Sequence, residues 1–171
     1  YTTQTDYQVI DVIDNEEFGK ILFLDKDLRI TEKDVEQYSD CLLDPLYEED
    51  IDQSLENVLV IGAGNGNLIN RLLRYDVKHV ELVDNDAELI EVNKKYFKEF
   101  CKDCYEDPRV KINLNQFNDY LEKAPQFDAV IVDLTLHPET MTREIREEWT
   151  EKTYQNIKKI LKPGGVISVQ C

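Results

Sequence analysis

Val58-Leu-Val-Ile-Gly-Ala-Gly-Asn-Gly-Asn-Leu-Ile-Asn-Arg-Leu-Leu-Arg-Tyr-Asp-Val-Lys-His-Val-Glu-Leu-Val-Asp84 is the stretch that decides the fold. Five apolar or small residues, Val58 to Gly62, run directly into a turn carrying Gly62, Gly64 and Gly66. Leu68, Ile69, Leu72 and Leu73 then recur at spacings that share one face of a helix. A second apolar strand ends on an acid, Asp84, about 20 residues beyond the first glycine, the spacing of a βαβ nucleotide fingerprint. Gly62 and Gly64 let a ligand approach the backbone where a side chain would block it, and a strand-end carboxylate can accept hydrogen bonds from two ribose hydroxyls. Asn67 stands where a dinucleotide fold has its third glycine, and no arginine near Asp84 awaits a 2′-phosphate. A single nucleoside without pyrophosphate fits better, and S-adenosyl ligands are the common case.

The alternation continues beyond Asp84. A helix is predicted from about Ala87 to Phe100, a strand over Arg109 to Leu114, and a short helix over Phe117 to Leu121. Phe127 to Asp133 is nearly continuous apolar sequence, as in a parallel strand buried on both faces, and it too ends on an acid. A helix through Trp149, Tyr154, Ile157 and Leu161 runs to the stop signal Lys162-Pro163-Gly164-Gly165, and Gly165 to Cys171 reads as a last strand. The expected fold is α/β: a Rossmann-like, doubly wound, mostly parallel sheet from about Asn57 onward.

Residues 1–31 read differently. Tyr7, Val9 and Asp11 to Ile13 alternate; Gly19 to Asp25 and Leu28 to Thr31 follow, with Lys26-Asp27 as a tight turn. These predict a small antiparallel β unit over 1–31 ahead of a nucleoside-binding domain over 32–171. Thr31 and Asp34 resemble a capping box opening a helix whose Val35, Tyr38 and Leu42 share a face and which ends before Pro45. The acidic run Glu48 to Asp52 reads as solvated loop without calcium-loop spacing.

With 36 acidic against 20 basic residues, the net charge is −16. Such a chain repels nucleic acid backbones and anionic membranes and favours cationic partners. No apolar run is long enough to span a bilayer and the first residues lack a signal core, so a cytoplasmic protein is expected. Cys101 and Cys104 form a CxxC pair with no second pair or nearby histidine to complete a zinc site, so plain thiols and no metal are expected. His79 and His137 read as surface or loop residues, and Trp149 as packing.

Several of these motifs together resemble the polyamine aminopropyltransferases, the spermidine and spermine synthases. The carriers are Tyr7-Gln8, Glu16 to Asp25 and Thr31 to Asp34 near the start, then the glycine turn with Leu82 to Asp86, Asp107 to Val110, Phe127 to Thr135, and Leu161 to Cys171. Class I methyltransferases share the core but not the N-terminal part. The run Asp133-Leu134-Thr135 looks more like the spermine synthase branch. The resemblance implies aminopropyl transfer from decarboxylated S-adenosylmethionine, as co-substrate, to spermidine or putrescine, releasing methylthioadenosine, and a homodimer or higher homo-oligomer. It makes Asp133 the proton acceptor for the attacking amine, with Tyr38 orienting that amine. Gln8 and Asp84 would hold the nucleoside, and Gln116 would accept from the adenine amino group.

Two departures from the family pattern bear on activity. Asn65 replaces an aspartate that pairs with the donor's ammonium, which predicts weakened transfer. Leu136 replaces the second substrate-side aspartate of spermidine synthases. The chain also stops where the family continues, so it is expected to be truncated. Two other readings stand beside the transferase: a methyltransferase, which the core alone allows, and a non-catalytic relative that binds a nucleoside or a partner subunit.

Overall fold

The computed structural model describes residues 1–47, 55–62, 64, 66–134 and 142–170. Two sheets organise them. The first is antiparallel, in the order β1 (Thr2–Gln4), β2 (Val9–Asn15), β3 (Gly19–Leu24), β4 (Asp27–Thr31). The second is wholly parallel and built from β5 (Asn57–Gly62), β6 (His79–Asp84), β7 (Val110–Leu114), β8 (Phe127–Asp133) and β9 (Leu161–Val169). Its spatial order is β7-β6-β5-β8-β9, so the chain winds outward first to one side of β5 and then to the other. Ligands bind at such a reversal, beyond the carboxyl ends of the strands.

Period-two alternation in β5 sorts its side chains onto two helical layers. Val58 and Val60 join one core with Leu42 and Leu43 of α1 (Val35–Leu43), Leu68 and Leu72 of α2 (Asn67–Leu72), and Leu89 and Ile90 of α3 (Ala87–Tyr96). Leu59 and Ile61 face the other way, onto Leu121 of α5 (Phe117–Leu121) and Ile157 and Ile160 of α6 (Arg143–Ile160). Every one of these β5 side chains is fully buried, which is why the run carries no polar residue. The Rossmann-like, doubly wound sheet expected from the sequence is therefore present. Ile10, Val12, Leu22, Leu24 and Ile30 of the small sheet belong to the first of these cores, so the N-terminal unit packs into the α/β core itself.

Several boundaries differ from expectation. The β3–β4 turn is Asp25-Lys26, one residue earlier, with φ of +51° and +73°. A two-residue hairpin turn of this hand needs two left-handed residues. Asp25 holds that place because its Oδ1 accepts from the Val9 N–H at 2.8 Å. Tyr7 lies outside the strands, in a turn before β2. The capping box is half formed: Asp34 Oδ1 accepts from Thr31 N at 3.0 Å, while α1 itself opens without a side-chain cap. The helix predicted over 87–100 breaks at buried Phe97, giving α3 and a short α4 (Lys98–Cys101). Within α3, Asn93 Nδ2 donates to the Leu89 carbonyl four residues back, a bond that competes with the helical ladder. Lys162 to Gly165 does not precede the last strand; it bulges within β9, where Phe127 pairs Leu161 and Ala129 pairs Val166. His79 opens β6 rather than a loop, its ring 3.5 Å from the buried Glu81 carboxylate.

Candidate active site

The parallel register places Gly62 directly opposite Asp133, at the carboxyl ends of β5 and β8. Asp84 closes β6 on the other side of β5, so the two carboxylates flank the glycine turn, and the negative charge of Asp133 makes Asp84 harder to ionise. Gly62 has φ of +82°, and a Cβ there would collide with the Asp133 carbonyl. Gly64 lies against Asp84: a Cβ would stand 3.4 Å from its Oδ2 and 2.8 Å from Leu89 Cδ2. Glycine at 62 lets the two strand ends close, and at 64 it leaves the Asp84 carboxylate approachable.

Asp133 and Tyr38, far apart in sequence, meet here. The Tyr38 hydroxyl of α1 donates a short hydrogen bond to Asp133 Oδ1. Burial pushes the Asp133 carboxyl above the ordinary aspartate range, opposed by that hydrogen bond and by the positive charge of Arg29 on β4. Burial also holds Tyr38 well above the ordinary phenol value, reinforced by the negative charge of Asp133, so the hydroxyl stays a donor. α1 is fixed in this pose by Asn67, the residue in the third-glycine position. Its Nδ2 donates to the Val35 carbonyl at 2.8 Å and to Ser39 Oγ at 2.7 Å.

Asp84 is pushed up to about 6, chiefly by burial, although its Oδ1 accepts from the Asp86 N–H at 2.9 Å. Asp86 is marked in the sequence only as the end of the Leu82 to Asp86 motif and, by the resemblance, as a neighbour of Asn65, yet it ties three elements together. Its Oδ1 caps α3 through the N–H groups of Glu88 and Leu89, at 3.2 and 3.3 Å. Its Oδ2 accepts from Gln8 Nε2 at 2.7 Å and from Thr5 Oγ1 at 2.8 Å. Gln8 is thus tied to Asp86, the residue that holds Asp84, and is brought there by the N-terminal unit. The readable signal was local: an aspartate just before an apolar-periodic run is a helix cap.

Beneath the glycine turn, the Tyr105 hydroxyl donates to the Gly64 carbonyl, and Cys104 Sγ lies 3.3 Å from the Gly66 carbonyl. Burial pushes the Cys101 thiol up to about 12 and Cys104 higher still, so both pack as thiols rather than react. Among the described residues, no group of three or more His, Cys, Asp or Glu stands close enough to hold a metal ion. Gln116 is exposed at the start of α5, beyond the end of β7, and its side chain caps nothing there. Asn65, Thr135, Leu136, His137, Cys171 and the run Glu48 to Asp52 lie outside the described residues.

Comparison with known proteins agrees with this fold. Residues 47–171 match the family described as spermine/spermidine synthase domain, and residues 1–32 match the spermidine synthase tetramerisation domain. The polyamine aminopropyltransferase of Prochlorococcus marinus (strain AS9601) is 30% identical over 167 residues, covering 96% of this chain and 57% of that protein. The enzyme of the same description from Korarchaeum cryptofilum is 34% identical over 164 residues, covering 94% and 48%. A solved spermidine synthase in complex with the transition-state analogue AdoDATO superposes with a TM-score of 0.84 at 31% identity, over 99% of this chain and 56% of that one. The chain spans about half the length of the curated relatives it matches. With its N-terminal sheet, its parallel β/α core and the residues matched along both, the chain belongs to the spermine/spermidine synthase family.

Proposed function

We propose that the protein transfers an aminopropyl group from decarboxylated S-adenosylmethionine to an amine of a polyamine, spermidine or putrescine. The Tyr38–Asp133 pair carries this reading, since Asp133 stands at the strand ends with Asp84 in a chain similar to a spermidine synthase solved in complex with the transition-state analogue AdoDATO. A polyamine nitrogen is protonated at neutral pH and attacks carbon only after losing a proton. Asp133 serves as acceptor of that proton. Its Oδ1 is engaged by Tyr38, which leaves Oδ2 to face the amine. A carboxylate whose pKa is raised by burial is a stronger base than an exposed one. As the new N–C bond forms, the C–S bond breaks and methylthioadenosine leaves with the electron pair of that bond.

Asp84 accepts from the ribose, Gln8 and the glycine turn flank the nucleoside, and Gln116 serves the adenine. By the family resemblance, Asn65 replaces the aspartate that pairs with the donor ammonium and brings no charge of its own, which weakens transfer. The acceptor is a polyamine because a chain of net charge −16 with two strand-end carboxylates suits a polycation. Residues 1–31 serve self-association: Ile13 and Leu28 are about half exposed on the face of the small sheet opposite its buried side. Residues 32–171 form the nucleoside-binding domain. We place this work in the cytoplasm, in keeping with Cys41, Cys101 and Cys104 being free thiols.

The test incubates the protein with decarboxylated S-adenosylmethionine and each of putrescine and spermidine. Mass spectrometry should show the aminopropylated amine and methylthioadenosine in equal amounts. A methylated product from ordinary S-adenosylmethionine, with no aminopropyl product, would overturn the reading in favour of a methyltransferase.

A further inference from the structure

We propose that Asp86 is a positioning residue that sets which end of the Gln8 amide is offered to the nucleoside. The inference rests on the nucleoside reading of the site. Asp86 is almost wholly buried, and both of its oxygens are committed in different directions. Oδ1 faces the first N–H groups of α3, and Oδ2 faces Thr5 and Gln8 of the N-terminal unit. An ionised carboxylate can only accept. The atom of Gln8 that meets Asp86 is therefore Nε2, and the end of the amide turned away from it is the carbonyl oxygen Oε1.

The turn that carries Gln8 is built to the same end. Thr5 Oγ1 spends its single proton on Asp86 and accepts from the backbone N–H groups of Tyr7, at 3.0 Å, and Gln8, at 3.1 Å. Asp86 thereby anchors the turn and orients the side chain leaving it. Through its own N–H it also holds Asp84. Asp86 thus holds two acceptors, the Asp84 carboxylate through its N–H and Gln8 Oε1 through the amide, for a ligand that presents donors, as ribose hydroxyls and an ammonium do. A glutamine with no such partner would present either end.

Substitution by asparagine also takes the acceptor from Thr5 Oγ1, whose proton can turn to the Gln8 carbonyl 3.3 Å away. That loss is common to the single and double variants below, so the difference between them reports the Gln8 amide. Asn is as good a helix cap as Asp, and the cap holds its oxygen toward Glu88 and Leu89. The Asn NH2 group is then forced toward Gln8, whose amide flips to meet it with Oε1 and turns Nε2 outward. The bond between the two side chains survives with its polarity reversed, so a merely structural link would leave binding unchanged. In Asp86→Asn, affinity for methylthioadenosine, measured by calorimetry, should fall about tenfold, the equivalent of one lost hydrogen bond. The melting temperature should stay close to that of the wild type. In the double variant Asp86→Asn with Gln8→Glu, the new carboxylate accepts from Asn and again turns an oxygen outward, so affinity should return to within a few fold of wild type. Gln8→Glu alone sets two carboxylates face to face and should bind worse than either. Unchanged affinity in Asp86→Asn, or equal weakness of that variant and the double variant, would overturn the inference. Failure of the wild type to bind methylthioadenosine would overturn the nucleoside reading, and this inference with it.

Discussion

Tyr38 and Asp133 are joined by a hydrogen bond between the hydroxyl of one and the carboxylate of the other, from the middle of α1 to the last residue of β8. The bond crosses from the helix that follows the N-terminal sheet to the centre of the parallel sheet. It joins a donor fixed in its protonated form to a carboxylate held by the bond in one orientation.

If the two residues divide the labour as proposed, their variants should differ in kind. Asp133→Asn removes the proton acceptor and should lower kcat by about 100-fold to 10,000-fold, with the affinity for methylthioadenosine nearly intact. Tyr38→Phe keeps the base but removes the bond that lowers its pKa. The acid limb of its kcat/KM profile should therefore move to higher pH, with a rate loss of about tenfold at neutral pH. Steady-state rates between pH 5 and 9, with calorimetric affinities, would check both; equal losses of nucleoside affinity in the two variants would refute the division.

Nucleoside binding should depend on pH through Asp84. Its carboxyl titrates at about 6, and only the ionised form accepts from two hydroxyls. Affinity for methylthioadenosine should be flat above pH 7 and fall as the pH drops through about 6, approaching tenfold per unit. Asp84→Asn should abolish that dependence and bind weakly throughout. Titration calorimetry at half-unit steps of pH measures it.

The same group should cost the unliganded protein stability. Asp84 holds its proton more tightly folded than unfolded, so its favourable contribution is complete below pH 4 and is lost as pH rises through about 6. At pH 7.5, Asp84→Asn without ligand should be more stable than wild type by roughly 1–3 kcal/mol, the scale of a shift of this size. The difference should close toward pH 4. Urea unfolding at the two pH values, without ligand, decides the sign.

Gly62 and Gly64 should fail differently on replacement by alanine. At Gly62 the backbone is left-handed and the new Cβ meets main chain that cannot yield, so Gly62→Ala should cost about 3 kcal/mol or more. At Gly64 the nearest obstacle is the flexible end of Leu89, so stability should fall by less, about 1 kcal/mol. The methyl group beside the Asp84 carboxylate should nonetheless weaken nucleoside binding more than this loss of stability accounts for. Denaturant unfolding and calorimetry of the two variants separate the effects.

Hydrophobic period and strand-end chemistry are local properties, and the sequence by itself carried them. The apolar run Val58 to Ile61, the glycines after it, and Asp84 and Asp133 closing their strands were enough for the parallel β/α core and for both carboxylates, because buried parallel strands admit few other patterns. Turn and helix ends were less legible. The Asp25-Lys26 turn follows from a side chain reaching Val9 on another strand, and the break at Phe97 follows from a packing demand that outweighs helix propensity. What tertiary structure alone decided is which distant groups meet. Tyr38 on an apolar helix face has no local mark of function; its pairing with Asp133 depends on how α1 lies on the sheet, held there by Asn67. Asp86 shows the same limit from the other side. Its place as a helix cap was written in the chain, whereas its grip on Thr5 and Gln8 exists only because the N-terminal sheet buries its apolar face in the α/β core and brings that turn within hydrogen-bonding distance.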